Sequence, residues 1–182
     1  NIMWSSKRTV EILGPAKIKK LKYQVMPDRI EAGTYLIAAA LTEGKLRVTG
    51  INPKIINTEI NILKKIGAKI MIKNNEINIQ GNKKIKNINI STSPYPGFPT
   101  DLQAQIMVLL CKANKKSCIK EDIFENRFMH VAELNRMGAK ISIVGNKAII
   151  EGNINFEAAE LMATDLRASV SLILAALVSK GK

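Results

Sequence analysis

Two aspartates and two arginines stand where helices should open: Asp101, Arg127, Asp165 and Arg167. Asp101 closes the stretch Tyr95-Pro96-Gly97-Phe98-Pro99-Thr100-Asp101, whose prolines stiffen a loop that exits into an apolar run. A loop of this kind can hold a carboxylate rigidly at a helix mouth, where a rim of N–H groups keeps it ionised. On the residues alone, helix stabilisation is the favoured role, because Asp28 and Asp165 occupy the same slot. Arg127 lies in Glu125-Asn126-Arg127-Phe128-Met129-His130, an acid, an amide, a guanidinium and an imidazole together at an expected helix start. The helix dipole disfavours a cation there, so the arginine calls for an anion. That anion is either a nearby carboxylate or a bound phosphate or carboxylate. Asp165-Leu166-Arg167 repeats the theme, and the two arginines could converge on one anion. A local ion pair is the plainer reading, and it is worth little if exposed.

Other chemistries find less support. His130 is the only histidine and has no Cys or His companions at ligand spacing, so it reads as a helix-packing residue and no metal site is expected. Cys111 and Cys118 lack a nearby histidine or a Gly-rich frame and read as core residues. There is no Gly-x-Gly-x-x-Gly or Walker sequence to cradle a phosphate.

The elements that must position these residues repeat along the chain. Three acid-led apolar helices are expected from Asp28, Asp101 and Asp165, starts that are 73 and then 64 residues apart. Being apolar nearly all round, each should be buried. After the first two come short strands at 46–49 and 117–120, then second helices at 57–66 and 127–137 stopped by Gly67 and Gly138. Phe128, Val131, Leu134 and Met137 recur every third residue, as a one-sided core stripe requires. Hairpins follow, 68–72 with 76–79 across Asn74-Asn75, and 139–143 with 148–151 across Gly145-Asn146. A connecting strand at 85–90 links the copies. The third copy stops at Gly181-Lys182, after its first helix, so the chain reads as a piece of a longer protein cut inside a repeat.

Composition limits the partners. The 182 residues are 46% hydrophobic and 24% charged, a globular balance with no apolar stretch long enough for a membrane span. No secretory leader is read near Lys7 and Arg8, and two cysteines make no disulfide framework, so a cytosolic setting is expected. The net charge of +13 admits a nucleic-acid or anionic-surface binder as the alternative. Lysine supplies 22 of the 28 basic residues and arginine 6; with abundant isoleucine and asparagine, that is the mark of AT-rich codons. Basic pairs such as Lys19-Lys20 and Lys83-Lys84 are scattered, and aromatics are 4%, too few for a stacking surface. Nucleic acid is therefore not the expected partner.

Four blocks carry a resemblance. Met26-Pro27-Asp28-Arg29-Ile30-Glu31-Ala32-Gly33-Thr34, the stretch from Tyr95 to Gln105, Glu125-Asn126-Arg127-Phe128-Met129-His130-Val131 and Ala163-Thr164-Asp165-Leu166-Arg167-Ala168-Ser169 resemble the signature blocks of the UDP-N-acetylglucosamine enolpyruvyl transferases. The likeness spans almost the whole chain. It implies an α/β (α+β) fold, an inside-out α/β barrel built from repeated βαβαββ units, in which two similar domains enclose the site. Residues 1–25 would be a connecting segment. Residues 26–182 would belong to the C-terminal domain, with repeats at about 26–90 and 91–155 and a truncated one at 156–182.

The activity implied is transfer of the enolpyruvyl group of phosphoenolpyruvate to the 3′-hydroxyl of UDP-N-acetylglucosamine, with release of phosphate and without a cofactor. It opens peptidoglycan synthesis in the cytoplasm, and with it cell-wall biogenesis, cell shape and division. Carried over by position, Asp101 contacts the sugar hydroxyl and Ile123 gives a backbone contact to the UDP-sugar. Arg127 and Arg167 face the phosphate and carboxylate derived from phosphoenolpyruvate, with Asp165 beside them in the catalytic set. The family's lysine–asparagine pair, its reactive cysteine loop and its late arginine lie in regions this chain lacks. The missing N-terminal domain is thus an implied partner, and the 182 residues alone are expected to be inactive. The related shikimate-pathway transferase is the more distant alternative, since it lacks the 125–131 block.

Overall fold

A computed structural model describes residues 2–14, 17, 20–163 and 165–181. Lys19, Thr164 and Lys182, used in the sequence reading, lie outside the described residues. The chain begins with an exposed two-stranded hairpin, β1 (Ile2–Ser6) and β2 (Thr9–Ile12). Residues 20–28 then run without regular structure to Asp28.

Asp28 caps α1 (Arg29–Leu41), its carboxylate accepting from the N–H groups of Ile30 and Glu31. Caps of this type contribute about 1 kcal/mol. The chain continues through β3 (Lys45–Thr49) and a 3₁₀ turn (Pro53–Ile56) to α2 (Asn57–Ile66), which Gly67 ends at φ 117°. β4 (Lys69–Lys73) and β5 (Glu76–Gln80) form the expected hairpin, with Asn74 at φ 54° in its turn. β3 joins β5 on the other side, giving an antiparallel sheet in the order β3-β5-β4.

The second unit repeats this with one strand more. It comprises β6 (Asn89–Ser91), α3 (Gln103–Cys111), β7 (Ser117–Lys120), α4 (His130–Arg136), β8 (Ile141–Val144) and β9 (Lys147–Ile150). The sheet order is β6-β7-β9-β8, so β7-β9-β8 reproduces β3-β5-β4 and β6 lies parallel to β7. Here the βαβαββ unit is complete. Asp165 caps α5 (Leu166–Ala176), accepting from the N–H groups of Arg167 and Ala168. A parallel bridge between Glu157 and Lys180 flanks α5 just as the β6–β7 pair flanks α3.

The helices lie inside and the sheets outside. α1 packs on β3 and β5, α3 packs on β7 and β9, and α3 also touches both α1 and α5. Every residue of α3 is buried, which makes it the centre of the core. Gly33 of α1 meets the Leu102 side chain so closely that a Cβ would have no room. Among the described residues no helix is long and apolar enough to cross a membrane.

Three expectations need correction. α1 and α5 are not buried all round, because α3 lies between them and each keeps an outer face open; Tyr35, Leu166, Ile173 and Leu177 are exposed. The connecting strand is only Asn89–Ser91, since residues 85 and 86 bond outside the sheet: Asn114 N–H donates to the Ile85 carbonyl and Lys86 N–H to that of Ile66 at the end of α2. α4 starts at His130 and not at 127, because Asn126 at φ 55° breaks the chain out of helical geometry. Arg127 therefore sits in a turn ahead of the helix. The rest of the stripe holds, with Val131, Leu134 and Met137 buried.

Candidate active site

Asp101 does not cap its helix. Pro99 takes the cap position in the second unit, and a 3₁₀ turn over Thr100–Leu102 leads into α3 with Leu102 N–H bonded to the Pro99 carbonyl. Asp101 is thus two residues inside the helical stretch, where a side chain projects sideways and cannot reach the orphan N–H groups. Its carboxylate turns to arginine instead. Nε and Nη2 of Arg167 both lie 2.7 Å from Oδ1, and Nη1 of Arg127 lies 3.9 Å from the same atom. The capping role favoured from sequence is overturned for Asp101, while Asp28 and Asp165 do cap.

Each arginine has its own support. The Arg127 guanidinium stands over the Phe124 ring, 4.2 Å from its centroid, which fixes a planar cation at little cost. Arg167 lies in the first turn of α5, where the dipole repels its charge, and Asp101 offsets that repulsion. Asp165 is held below the ordinary carboxylate value, first by the Ala168 N–H and then by that of Arg167, with burial opposing. Its oxygen is occupied in capping, so it orients α5 and does not enter the Asp101–arginine cluster.

Thr100, Gln103, Arg127, His130, Asp165 and Arg167 border a cleft of about 220 Å³, while Asp101 lines a separate cavity of about 660 Å³ that Arg167 shares. Gln103 and His130 are buried, and their Nε2 atoms have no partner among the described residues. Burial holds the His130 imidazole down to about 4, so it is neutral, in keeping with a packed residue and not a proton carrier at neutral pH. Ile123 lies in a neighbouring groove of about 770 Å³, between residues 121–129 and the β8–β9 turn. Arg127 lines both this groove and the smaller cleft. The structure thus brings Asp101, Arg127 and Arg167 together, sets Asp165 beside them and leaves Ile123 in the adjoining groove. Cys111 is buried, its thiol pushed up to about 12 by burial; Cys118 is half-buried on β7. Among the described residues no group of three or more His, Cys, Asp or Glu could hold a metal.

Two clusters escaped the sequence reading. Glu121, buried, accepts hydrogen bonds from the hydroxyls of Thr92 and Thr100 and from the N–H groups of Ile123 and Phe124. Glu59, buried on α2, pairs with Arg29 at 2.8 Å. Its carboxyl is raised by burial, against the lowering effect of Arg29. Arg29 also stacks on Tyr95, 5.2 Å from the ring centroid, so α1, α2 and the proline loop meet there. Neither acid stands out in its own stretch, Glu121 being followed by Asp122 and Glu59 lying among isoleucines and asparagines.

A family profile described as EPSP synthase (3-phosphoshikimate 1-carboxyvinyltransferase) matches residues 1–182. The chain belongs to the EPSP synthase family. Within it, the chain is 81% identical over its 182 residues to a UDP-N-acetylglucosamine 1-carboxyvinyltransferase of Pelagibacter ubique (strain HTCC1062), covering 44% of that protein. It is 48% identical over 171 residues to the like-named protein of Geotalea uraniireducens (strain Rf4), covering 94% of this chain and 41% of that one. The chain therefore spans less than half the length of these EPSP synthase-family relatives. Among solved structures it resembles the enolpyruvyl transferase NikO from Streptomyces tendae, with a TM-score of 0.76 and 26% identity over 85% of this chain and 37% of that one. EPSP synthase from Acinetobacter baumannii, with a TM-score of 0.67 and 20% identity over 87% of this chain and 39% of that one, shares the fold. The mixed α/β architecture is thus that of the enolpyruvyl transferases.

Proposed function

We propose that this chain is part of an enzyme that moves the enolpyruvyl group of phosphoenolpyruvate onto the 3′-hydroxyl of UDP-N-acetylglucosamine and releases phosphate. The observation that carries the reading is the Asp101 carboxylate, freed from capping and shared by Arg167 and Arg127. Oδ2 of Asp101 has no partner among the described residues, and on this reading it accepts from the substrate hydroxyl. The hydroxyl oxygen attacks C2 of phosphoenolpyruvate as a proton adds at C3. The tetrahedral intermediate then loses that proton and the C2–O bond to phosphate. An ionised carboxylate is a weak base for an alcohol, so Asp101 contributes orientation and late proton uptake. Arg127 and Arg167 neutralise the phosphate and carboxylate, whose charge crowds as the intermediate forms.

The name borne by the Pelagibacter relative supports the UDP-sugar acceptor over a shikimate acceptor. On this reading residues 1–25 connect to a preceding domain and 26–182 belong to the C-terminal domain, whose partner domain supplies the other wall. The setting is cytoplasmic, at the start of peptidoglycan synthesis. The test uses the complete protein, these 182 residues joined to the segments the Pelagibacter relative has outside the matched region. Incubated with phosphoenolpyruvate, it should release phosphate only when UDP-N-acetylglucosamine is present, and Asp101→Ala should abolish the release. Release supported equally by shikimate 3-phosphate would reverse the acceptor.

A further inference from the structure

We infer that Glu121 is a positioning residue that sets the Asp101 loop against the Ile123–Arg127 loop. The inference rests on the proposed transfer only for what the positioned groups do. Glu121 follows β7 directly and is 3% exposed, yet no cation lies against it among the described residues. Its charge is met by four donors from two separate segments. Oε2 accepts from the Thr100 hydroxyl at 2.9 Å, one residue before Asp101. Oε1 accepts from the Thr92 hydroxyl at 2.8 Å and from the N–H groups of Ile123 at 2.9 Å and Phe124 at 3.2 Å. Thr92 in turn accepts from Asp122 N–H, and its own N–H donates to the Lys120 carbonyl. One carboxylate therefore ends the strand pair β6–β7, pins the residue before Asp101 and folds the turn that presents Ile123 and Phe124.

The consequence is geometric. Phe124 carries the Arg127 guanidinium, and Thr100 fixes where Asp101 leaves the proline loop. The two sides of the Asp101–Arg127 approach are thus both referred to Glu121. A buried carboxylate bonded by neutral donors is costly unless all its bonds are made, so a purely structural site would be served as well by an apolar side chain. Glu121 bridges because its two oxygens face two loops.

The test is made on the complete protein. Glu121→Asp keeps the charge but draws the oxygens back by a methylene, so it cannot hold both loops. A displacement near 1 Å can cost on the order of a hundredfold in rate. Glu121→Asp should therefore lower the melting temperature and, in the protein that remains folded, lower kcat by at least about tenfold with KM for phosphoenolpyruvate changed little. Glu121→Gln, which keeps length and can donate to the Thr100 hydroxyl, should recover most of the loss. In a double-mutant cycle, Glu121→Asp on an Arg127→Lys background should lose less than the sum of the two single losses, as expected if both act on the one Asp101–Arg127 approach. A folded Glu121→Asp protein with wild-type kcat, or losses that add fully in the cycle, would overturn the inference. Amide exchange gives a readout independent of turnover: in Glu121→Asp, protection should fall together in residues 92–101 and at Ile123 and Phe124. Should wild type release no phosphate, the functional reading fails and exchange alone decides; loss confined to one loop then refutes the positioning role.

Discussion

Asp101 and Arg167, 66 positions apart in the chain, meet at a single carboxylate oxygen, with Nε and Nη2 both 2.7 Å from Oδ1. This fork leaves the second oxygen without a partner among the described residues. In the absence of ligand the pair is its own counterion set. On the proposed reading, an incoming phosphate or carboxylate competes with Asp101 for Arg167, which couples arrival of the anion to the carboxylate that orients the hydroxyl. Both side chains are more than one third exposed, so the pair itself adds little to stability.

Arg167→Lys is therefore expected to fold normally and to work poorly. A lysine keeps the charge but not the planar fork, so it cannot engage Oδ1 and a ligand oxygen at once. The expected loss in kcat/KM for phosphoenolpyruvate is about tenfold or more, or about 1.4 kcal/mol. Steady-state phosphate release in the complete protein measures it. Unchanged kinetics would remove Arg167 from the site.

His130 should make the fold sensitive to mild acid. Its imidazole is held at about 4 by burial, below the ordinary 6.5, so the unfolded chain takes up a proton before the folded one does. Stability from the neutral ring is present above pH 6.5 and is lost as pH falls toward 4. Between pH 7 and pH 5 that loss is about 2 kcal/mol. Urea unfolding at the two pH values should show it, and His130→Gln should flatten the difference. Equal slopes in both proteins would mean that His130 is not the group responsible.

Much of the architecture was legible because it is written in local chemistry. Asp28 and Asp165 precede apolar runs and cap them, and Asn74 and Gly145 make turns that other residues adopt reluctantly. The site was legible only as a set of residue types. Asp101 looked like a third cap because Pro99 shifts the helix start by residues that composition does not distinguish. Glu121 was invisible because its meaning lies in partners 21 and 29 positions away. The start of α4 was misplaced because Asn126, not a glycine or proline, takes the left-handed turn.

Arg29 and Glu59 offer a test of the second, unforeseen cluster. Removing the arginine leaves a buried carboxylate without its counterion, a loss of about 3 kcal/mol. Glu59 already has a raised carboxyl, and Arg29→Ala raises it further. A carboxyl raised on folding favours the folded state when protonated, so the deficit should shrink as pH falls from 7 to 5. Glu59→Gln, neutral at every pH, should lose less at pH 7 and show no such recovery. Chemical unfolding of the three proteins decides it, and a pH-independent deficit in Arg29→Ala would assign the effect to lost packing.

The 182 residues alone should fold and yet not turn over. Two units bury α3 completely and close both sheets onto helices, which gives the chain a continuous core from Leu36 to Phe156. Cooperative urea unfolding, followed by circular dichroism, is the expected result. Catalysis needs more than this wall. Enzymes lower their barriers by on the order of 8–23 kcal/mol, through groups that surround the reacting atoms and exclude water. Asp101, Arg127 and Arg167 approach from one side, and all three are partly open to solvent. The relatives carry more than half their length outside the matched region, and on the proposed reading the opposing wall comes from there. Purified chain given phosphoenolpyruvate and UDP-N-acetylglucosamine should release no phosphate above background, while the completed protein does. Release that scales with the concentration of the 182-residue chain, and survives repurification, would mean that one wall suffices.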